Sequence, residues 1–226
     1  MGKSEYQLVN QSISRSQANQ PKAHLSKQPL ITIARDPGSG GKPIAQLVAK
    51  KLGFKFYNKM LVEEIAKSAQ LRQKIVKKID ENTRTYMEDV LHSLFNPEYV
   101  SETTYIKHLS KVILALAHHG KAVILGRGAN FIVPKDDALR VLVTAPKNVR
   151  VGRAILYEKI SRSEAQKRIY KISQQRSEFI SQYFRKYYTN PKHYDLILNT
   201  DFYTIDTAAE LVVCAFRQKF PEFKTK

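Results

Sequence analysis

Residues Pro29 to Leu52 read PLITIARDPGSGGKPIAQLVAKKL. Leu30-Ile31-Thr32-Ile33-Ala34 is a short apolar run rich in β-branched residues, which predicts a buried strand. A tight turn with Gly38, Ser39, Gly40 and Gly41 follows, then Lys42, then a helix whose Ile44, Leu47, Val48 and Leu52 share one face. Strand, glycine loop, lysine and helix in that order make a phosphate cradle. The glycines let successive backbone N–H groups turn toward one anion, the helix N-terminus adds partial positive charge, and Lys42 adds a full one. The pattern GxxxxGK would want glycine at Asp36 and a Ser or Thr after the lysine, where Pro43 stands. Proline suits a first helical position, because its missing N–H has no partner to lose, but it offers no hydroxyl to a metal.

The chain has 226 residues, enough for one α/β domain, and 42% hydrophobic content is enough for a core. No run approaches a membrane span, and no signal-peptide pattern opens the chain, so a cytoplasmic location is expected, with a signal-independent secretion route left open. Cys214 is the single cysteine, which rules out an internal disulfide and is expected to be a small packing residue of the last helix. The net charge is +18, from 38 Lys+Arg against 20 Asp+Glu. That balance points to polyanionic partners: nucleotides, nucleic acid or an anionic surface.

Residues 1–28 are polar and lack apolar periodicity, and read as a flexible basic tail outside one domain spanning 29–226. Gly53 should end the first helix. Phe54 to Tyr57 reads as a second strand, and Asn58 as the cap of a helix carrying Leu61, Val62, Ile65 and Ala66. From Ser68 to about Gly120 the pattern is loosely helical, with Glu81 to Arg84 expected as a loop and a break at Pro97. It firms up in the stripe Ile106, Leu109, Val112, Ile113 and Leu116. His118 and His119 point about 100° apart on a helix, which suits a helix end better than a shared metal.

Lys121 to Leu125 and Leu139 to Val143 read as strands, the first running into Gly126-Arg127-Gly128-Ala129-Asn130 and the second into a helix from Asn148 to Leu156. Ser161 and Glu164 form a capping box for a long helix to about Tyr187, and Tyr194 to Leu198 is the last strand. Thr207 and Glu210 suggest a second box starting the final helix. Five strands alternating with helices argue a parallel, doubly wound sheet, with ligands at the strands' carboxyl ends. The cradle and the Gly126-Arg127-Gly128 turn should therefore face one crevice.

Arg127, between two glycines, offers a planar fork suited to phosphate, or merely a solvated turn. In the long helix Ala165, Ile169, Ile172, Phe179 and Tyr183 form a stripe in which Arg176 fills an apolar position. A buried, unpaired guanidinium costs several kcal/mol, so Arg176 needs an anion, an open cleft, or an ion pair with Glu178 or Glu164. Arg150, Arg153, Lys167, Arg168 and Lys171 add charge nearby. Tyr187 to Tyr194 interleaves aromatics with basic groups and is expected to be a packed connector rather than a nucleic-acid surface.

Together these segments resemble the cytidylate kinase-like family, a branch of the P-loop nucleoside monophosphate kinases. The likeness runs from Leu30 to Leu211 and rests on ITIARDPGSGGKPIA, LGFKFYNKMLVEEIAK, GRGANFI, SRSEAQKRIYKISQQR and YDLILNT. It implies the P-loop kinase fold, with a five-stranded parallel sheet flanked by helices, a monophosphate-binding lobe near residues 58–118 and a lid near 157–188. It implies transfer of the γ-phosphoryl of ATP, with Mg²⁺, to a nucleoside monophosphate such as CMP or dCMP. Gly38, Ser39, Gly40, Gly41 and Lys42 would hold the donor phosphates. Arg127, Asn130, Asn58 and Arg150 would bind the acceptor, and Arg153, Arg168 and Arg176 would join Lys42 and Arg127 in catalysis.

The chain departs from the family pattern at Pro43 and Ile44 for a hydroxyl residue, at Gly128 and Ser173 for acidic ones, and at Asn58 for Asp. Its metal ligands are therefore unknown. A nucleotide-binding protein without turnover, and a nucleic-acid-associated basic protein, are the other functions compatible with these residues.

Overall fold

The computed structural model describes residues 28–68, 81–94 and 103–223, and residues 70, 73 and 79 singly. The tail to residue 27 and the expected break at Pro97 lie outside them. The order of elements is β1 (Leu30–Arg35), α1 (Gly41–Leu52), β2 (Lys55–Tyr57), α2 (Lys59–Lys67), α3 (Glu81–Leu94), α4 (Thr103–His119), β3 (Ala122–Leu125), α5 (Ala129–Ile132), β4 (Ala138–Thr144), α6 (Lys147–Glu158), α7 (Arg162–Phe184), a single 3₁₀ turn (Pro191–His193), β5 (Leu196–Asn199) and α8 (Ile205–Lys219). The five strands form one parallel sheet in the order β2-β3-β1-β4-β5, the P-loop kinase fold that the sequence implies.

Strand alternation divides the core into two layers. Ile31, Ile33, Val123, Leu125, Val141 and Val143 face α1 and α8, where Ile44, Val48, Val212 and Phe216 meet them. Leu30, Ala122, Ile124 and Ala138 face the other way, onto α2, α3 and α4, through Val62, Met87, Leu109 and Ile113. The period of two along each strand dictates this split. Because β1 is flanked by β3 on one side and β4 on the other, the chain changes direction beside its carboxyl end. A crevice opens at such a switch point.

Register sets the depth of that crevice. Ile33 pairs with Leu125, the last residue of β3, whereas Arg35 pairs with Val143 on β4. β1 therefore runs two residues past the end of β3, and Arg35 stands over the turn that follows β3.

Several boundaries differ from the expectations. Glu81 to Arg84 opens α3 rather than forming a loop, since no breaker interrupts it and Met87 and Leu91, one turn apart, carry the helix into the core. α7 stops at Phe184, where Arg185 turns left-handed with φ 52°. β5 begins at Leu196 because the Asp195 carboxylate caps the start of β4 instead, accepting from the Arg140 backbone N–H at 2.8 Å. α8 starts three residues early: Thr204 caps it by accepting from the Thr207 N–H at 3.1 Å, and Glu210 pairs with Lys51 at 2.6 Å. Cys214 is exposed, because Val212, Val213 and Phe216 take the inward positions around it. No helix among the described residues is long and apolar enough to cross a membrane.

Candidate active site

The cradle has the expected form. Gly38 and Gly40 hold φ near +80°, which gives the loop its reversals, and Gly40 is the N-cap of α1. Ser39 is buried and structural: its hydroxyl donates to the Asp36 carbonyl at 2.9 Å, and its own carbonyl accepts from the Thr200 hydroxyl at 2.8 Å. Lys42 is exposed in the first turn. Pro43 falls at the third helical position rather than the first, still among the N–H positions that have no partner within the helix. A pocket of about 300 Å³ opens here, lined by Gly38, Gly40, Gly41, Lys42 and Asn58, with Arg35 and Arg176 at its side. Asn58 also caps α2, accepting from the Leu61 N–H at 2.9 Å.

A second pocket, of about 560 Å³, lies next to it at the end of β3. Arg127, Asn130, Phe131 and Phe179 line it, together with the same Arg35 and Arg176. Arg127 has φ 56°, pairs with Glu63 at 2.5 Å and lies 4.9 Å over the Phe179 ring. Glu63 is held in turn by the Tyr105 hydroxyl at 3.1 Å. Arg176 donates to the Arg35 carbonyl at 2.6 Å, so the arginine that fills an apolar position of the helix faces a cleft. Glu178 accepts from Gln174 and Glu164 closes the Ser161 capping box, so neither is its partner.

The electrostatics of this pocket are only partly compensated, by Glu63 on Arg127 and Asp36 near Arg176. Arg35 is pushed down to about 9, first by burial and then by Arg176 and Arg127. Arg127 is pushed down to about 10 by burial and by Arg176. Burial also lowers Arg176, against the pull of Asp36. The Nε of Arg127 and the Nδ2 of Asn130 are buried without a partner. Three crowded guanidiniums and two idle donors form a site that asks for an oxyanion.

Arg35 is the residue that sequence reading missed. It looks like an ordinary strand end, yet its stem packs on Gly41, where a Cβ would come within 2.6 Å of the Arg35 Cβ. Its guanidinium occupies the space where a Cβ on Gly126 would stand. The signal was the pair Gly41 and Gly126, which leaves a channel for one long side chain. Asp36 was missed as well. Its carboxylate accepts from Thr144 at 2.7 Å and from Tyr188 at 3.0 Å, and burial followed by Asp36 pushes Tyr188 up to about 12. Tyr188 and the buried Tyr194, which donates to the Tyr188 carbonyl at 2.5 Å, pack the two ends of the connector's inner side, whereas Tyr187 is exposed.

The other arginines expected at the site sit elsewhere. Arg150 donates through Nε to the Ala145 carbonyl at 2.9 Å, with its backbone against Gly38 and its Nη1 buried without a partner. Arg153 binds Thr200 twice, at 2.9 and 2.6 Å, and ties α6 to the end of β5. Arg168 pairs with Glu158 at 2.8 Å on the solvent side. The structure thus brings Lys42, Asn58, Arg127, Asn130 and Arg176 to the two pockets, and Arg153 and Arg168 to neither.

Residues 30–202 match the model of one protein family. The chain belongs to the cytidylate kinase-like family. Membership in this kinase-like family supports nucleotide-dependent phosphoryl transfer in general terms and leaves the acceptor open. Among solved structures the chain is similar to an uncharacterized protein from Eubacterium ventriosum ATCC 27560, at 21% identity and a TM-score of 0.67, covering 85% of this chain and 99% of that one. It is also similar to a shikimate kinase from Bacteroides thetaiotaomicron, at 14% identity and a TM-score of 0.42, covering 86% and 99%. The first likeness shows the shared fold. No curated protein matches the sequence.

The family implies ATP and, in the usual case, Mg²⁺. The donors present do not fit a metal held by the protein. Among the described residues no three of His, Cys, Asp and Glu converge, and Pro43 holds the position of the hydroxyl. Among the described residues Asp36 is the one carboxylate lining the cradle, and Thr144 and Tyr188 each donate to one of its oxygens. Mg²⁺ is ordinarily held by one or two carboxylates together with phosphates and water, and here the protein would offer it Asp36 without a P-loop hydroxyl.

Proposed function

We propose that this cytidylate kinase-like protein transfers the γ-phosphoryl of ATP to a nucleoside monophosphate of the CMP or dCMP kind, or to a similarly small phosphorylated acceptor. The observation that carries this reading is that two pockets at the carboxyl edge share Arg35 and Arg176. One is a glycine cradle with a lysine, the other an arginine pocket with aromatic walls. A donor in the first and an acceptor in the second would meet at the shared arginines.

In this reading Gly38 to Lys42 hold the β- and γ-phosphates, with Lys42 supplying charge. Arg127 and Arg176 hold the acceptor phosphate, Asn130 donates to the acceptor through its free Nδ2, and Asn58 and Arg150 border the cradle. An acceptor oxygen attacks the γ-phosphorus, the bond to the β-phosphate oxygen breaks, and ADP leaves with that electron pair. Such a transition state needs positioning and charge more than covalent help. Residues 58–118 supply the acceptor lobe and residues 157–188 the lid, in the cytoplasm where ATP is plentiful.

The test is ADP production from ATP against a panel of nucleoside monophosphates, with Lys42→Ala alongside. Transfer to one acceptor, lost in the variant, supports the kinase and names its substrate. Pro43 and Gly128 favour a second reading, nucleotide binding without turnover. ATP binding with no transfer to any acceptor would support that reading and refute the first.

A further inference from the structure

The two side chains shared by the pockets, Arg35 and Arg176, are both cations held in place by the protein. Arg35 is set by Gly41 along its stem and Gly126 beneath its guanidinium, and Arg176 by its bond to the Arg35 carbonyl. Neither pairs with a carboxylate among the described residues. Lys42 and Lys59 line the same cradle, and the Asp36 carboxylate there is held by Thr144 and Tyr188. A P-loop enzyme ordinarily meets a triphosphate that already carries a divalent ion, with a hydroxyl of its own to complete the ion's shell. Here the hydroxyl position is Pro43. The space beside the phosphates is bordered by two guanidiniums, of which Arg176 lowers the affinity of Arg35 for its proton, and a divalent cation beside Arg35 would be repelled in the same way.

We propose that the ligand this site selects is the metal-free nucleoside triphosphate, with Arg35 and Arg176 bridging its phosphates where a divalent ion would otherwise lie. The inference rests on the nucleotide reading above. It adds the charge state of the ligand and gives Arg35 a phosphate-binding role. Lys42, Lys59, Arg35 and Arg176, less Asp36, give the cradle a net charge of about +3, which attracts a bare triphosphate with about four negative charges more strongly than a magnesium complex with about two. Guanidinium forks also donate to phosphate oxygens in pairs, which a solvated ammonium does not.

The experiment is calorimetric titration of the full chain with ATP, once in excess EDTA and once in excess Mg²⁺, at matched ionic strength so that screening is the same. The expected result is binding that is tighter in EDTA by about threefold or more. Arg35→Met should weaken metal-free ATP about tenfold or more and leave the magnesium complex less affected, so that the preference disappears. Arg176→Met provides the same reading if Arg35→Met does not fold, with circular dichroism checking each variant. Equal affinity in both buffers, or tighter binding with Mg²⁺, overturns the inference while leaving nucleotide binding intact. Failure to bind ATP in either buffer overturns the nucleotide reading and this inference with it.

Discussion

Replacing Arg35 by Met should make the empty protein more stable and the liganded one less so. The fall in the Arg35 pKa from 12.5 to about 9 corresponds to roughly 5 kcal/mol held against the charged group, at about 1.36 kcal/mol per pKa unit. An arginine does not release its proton at neutral pH, so this crowding is felt as a folding cost. The pocket is open to water, and solvent returns most of it, leaving about 1–2 kcal/mol to be gained when the charge is removed. Met keeps most of the stem that packs on Gly41, so little packing is lost. For a domain of this size that gain is a rise in Tm of about 2–8 °C. ATP at a hundred times its Kd should stabilise the unaltered protein by about 2.7 kcal/mol, and the variant by less than half of that. Thermal unfolding of both proteins, with and without ATP, measures all four states. A lower Tm for the variant, with its ATP shift preserved, would show that Arg35 is a packing residue, and the reasoning from charge crowding would fail.

The remaining expectations concern its neighbours. Gly126→Ala places a Cβ into the Arg35 guanidinium at a φ of 83°, so it should lower ATP affinity about tenfold and stability by about 1–3 kcal/mol, read by titration and urea unfolding. Arg153→Ala removes both bonds to Thr200 and should cost about 1–3 kcal/mol, whereas Arg168→Ala on the exposed Glu158 pair should stay within about 0.5 kcal/mol. Equal losses from the two would contradict the placement of those side chains. For Asp195, burial alone would raise the pKa, but hydrogen bonds from Arg140 and Lys219 overcome it and hold the carboxyl below its ordinary value. A depressed carboxyl contributes stability above its unfolded pKa near 3.9 and loses it as the pH falls through the lower folded value. Asp195→Asn should therefore be less stable at neutral pH by about 1–3 kcal/mol and show a flatter decline below pH 4 than the unaltered chain, followed by urea midpoints from pH 6 to 2.5.

Much of the scaffold was legible because its signals are local. β-branched runs marked the strands, Gly53 and Asn58 marked a helix end and a helix start, and the Ser161–Glu164 box opened α7 at the expected residue. Misjudged ends had local signals that a distant contact overrode. Asp195 belongs to a strand by composition but serves Arg140 across the sheet, and Glu210 looked like a capping partner but reaches Lys51 on α1. The site was legible only in part for the same reason. Arg127 and the cradle announce themselves by flanking glycines, and Arg176 by breaking an apolar stripe. Arg35 does not, because its role depends on β1 outrunning β3 by two residues, and the sequence prints the strands without their register.

One helix joins these parts. Along α7, Arg176 reaches the Arg35 carbonyl and the Phe179 ring lies under the Arg127 guanidinium. Phe184 fills the space over Gly128 that a Cβ would need, and just past the helix Tyr188 binds Asp36. Positions 176, 179 to 180 and 183 to 184 fall on one face at helical spacing, so the face that touches the body is the face that lines the arginine pocket. α7 has few buried residues for its length: Ala165, Ile169, Ile180 and Phe184. Its middle, from Ile172 to Phe179, is therefore held largely by groups that also line the arginine pocket. Arg176 satisfies part of its donor set with a backbone carbonyl while its charge still faces Arg35 and Arg127, so an oxyanion entering the pocket would relieve three arginines and seat the helix at once. If α7 moves as the proposed lid, its seating and anion binding would draw on the same free energy.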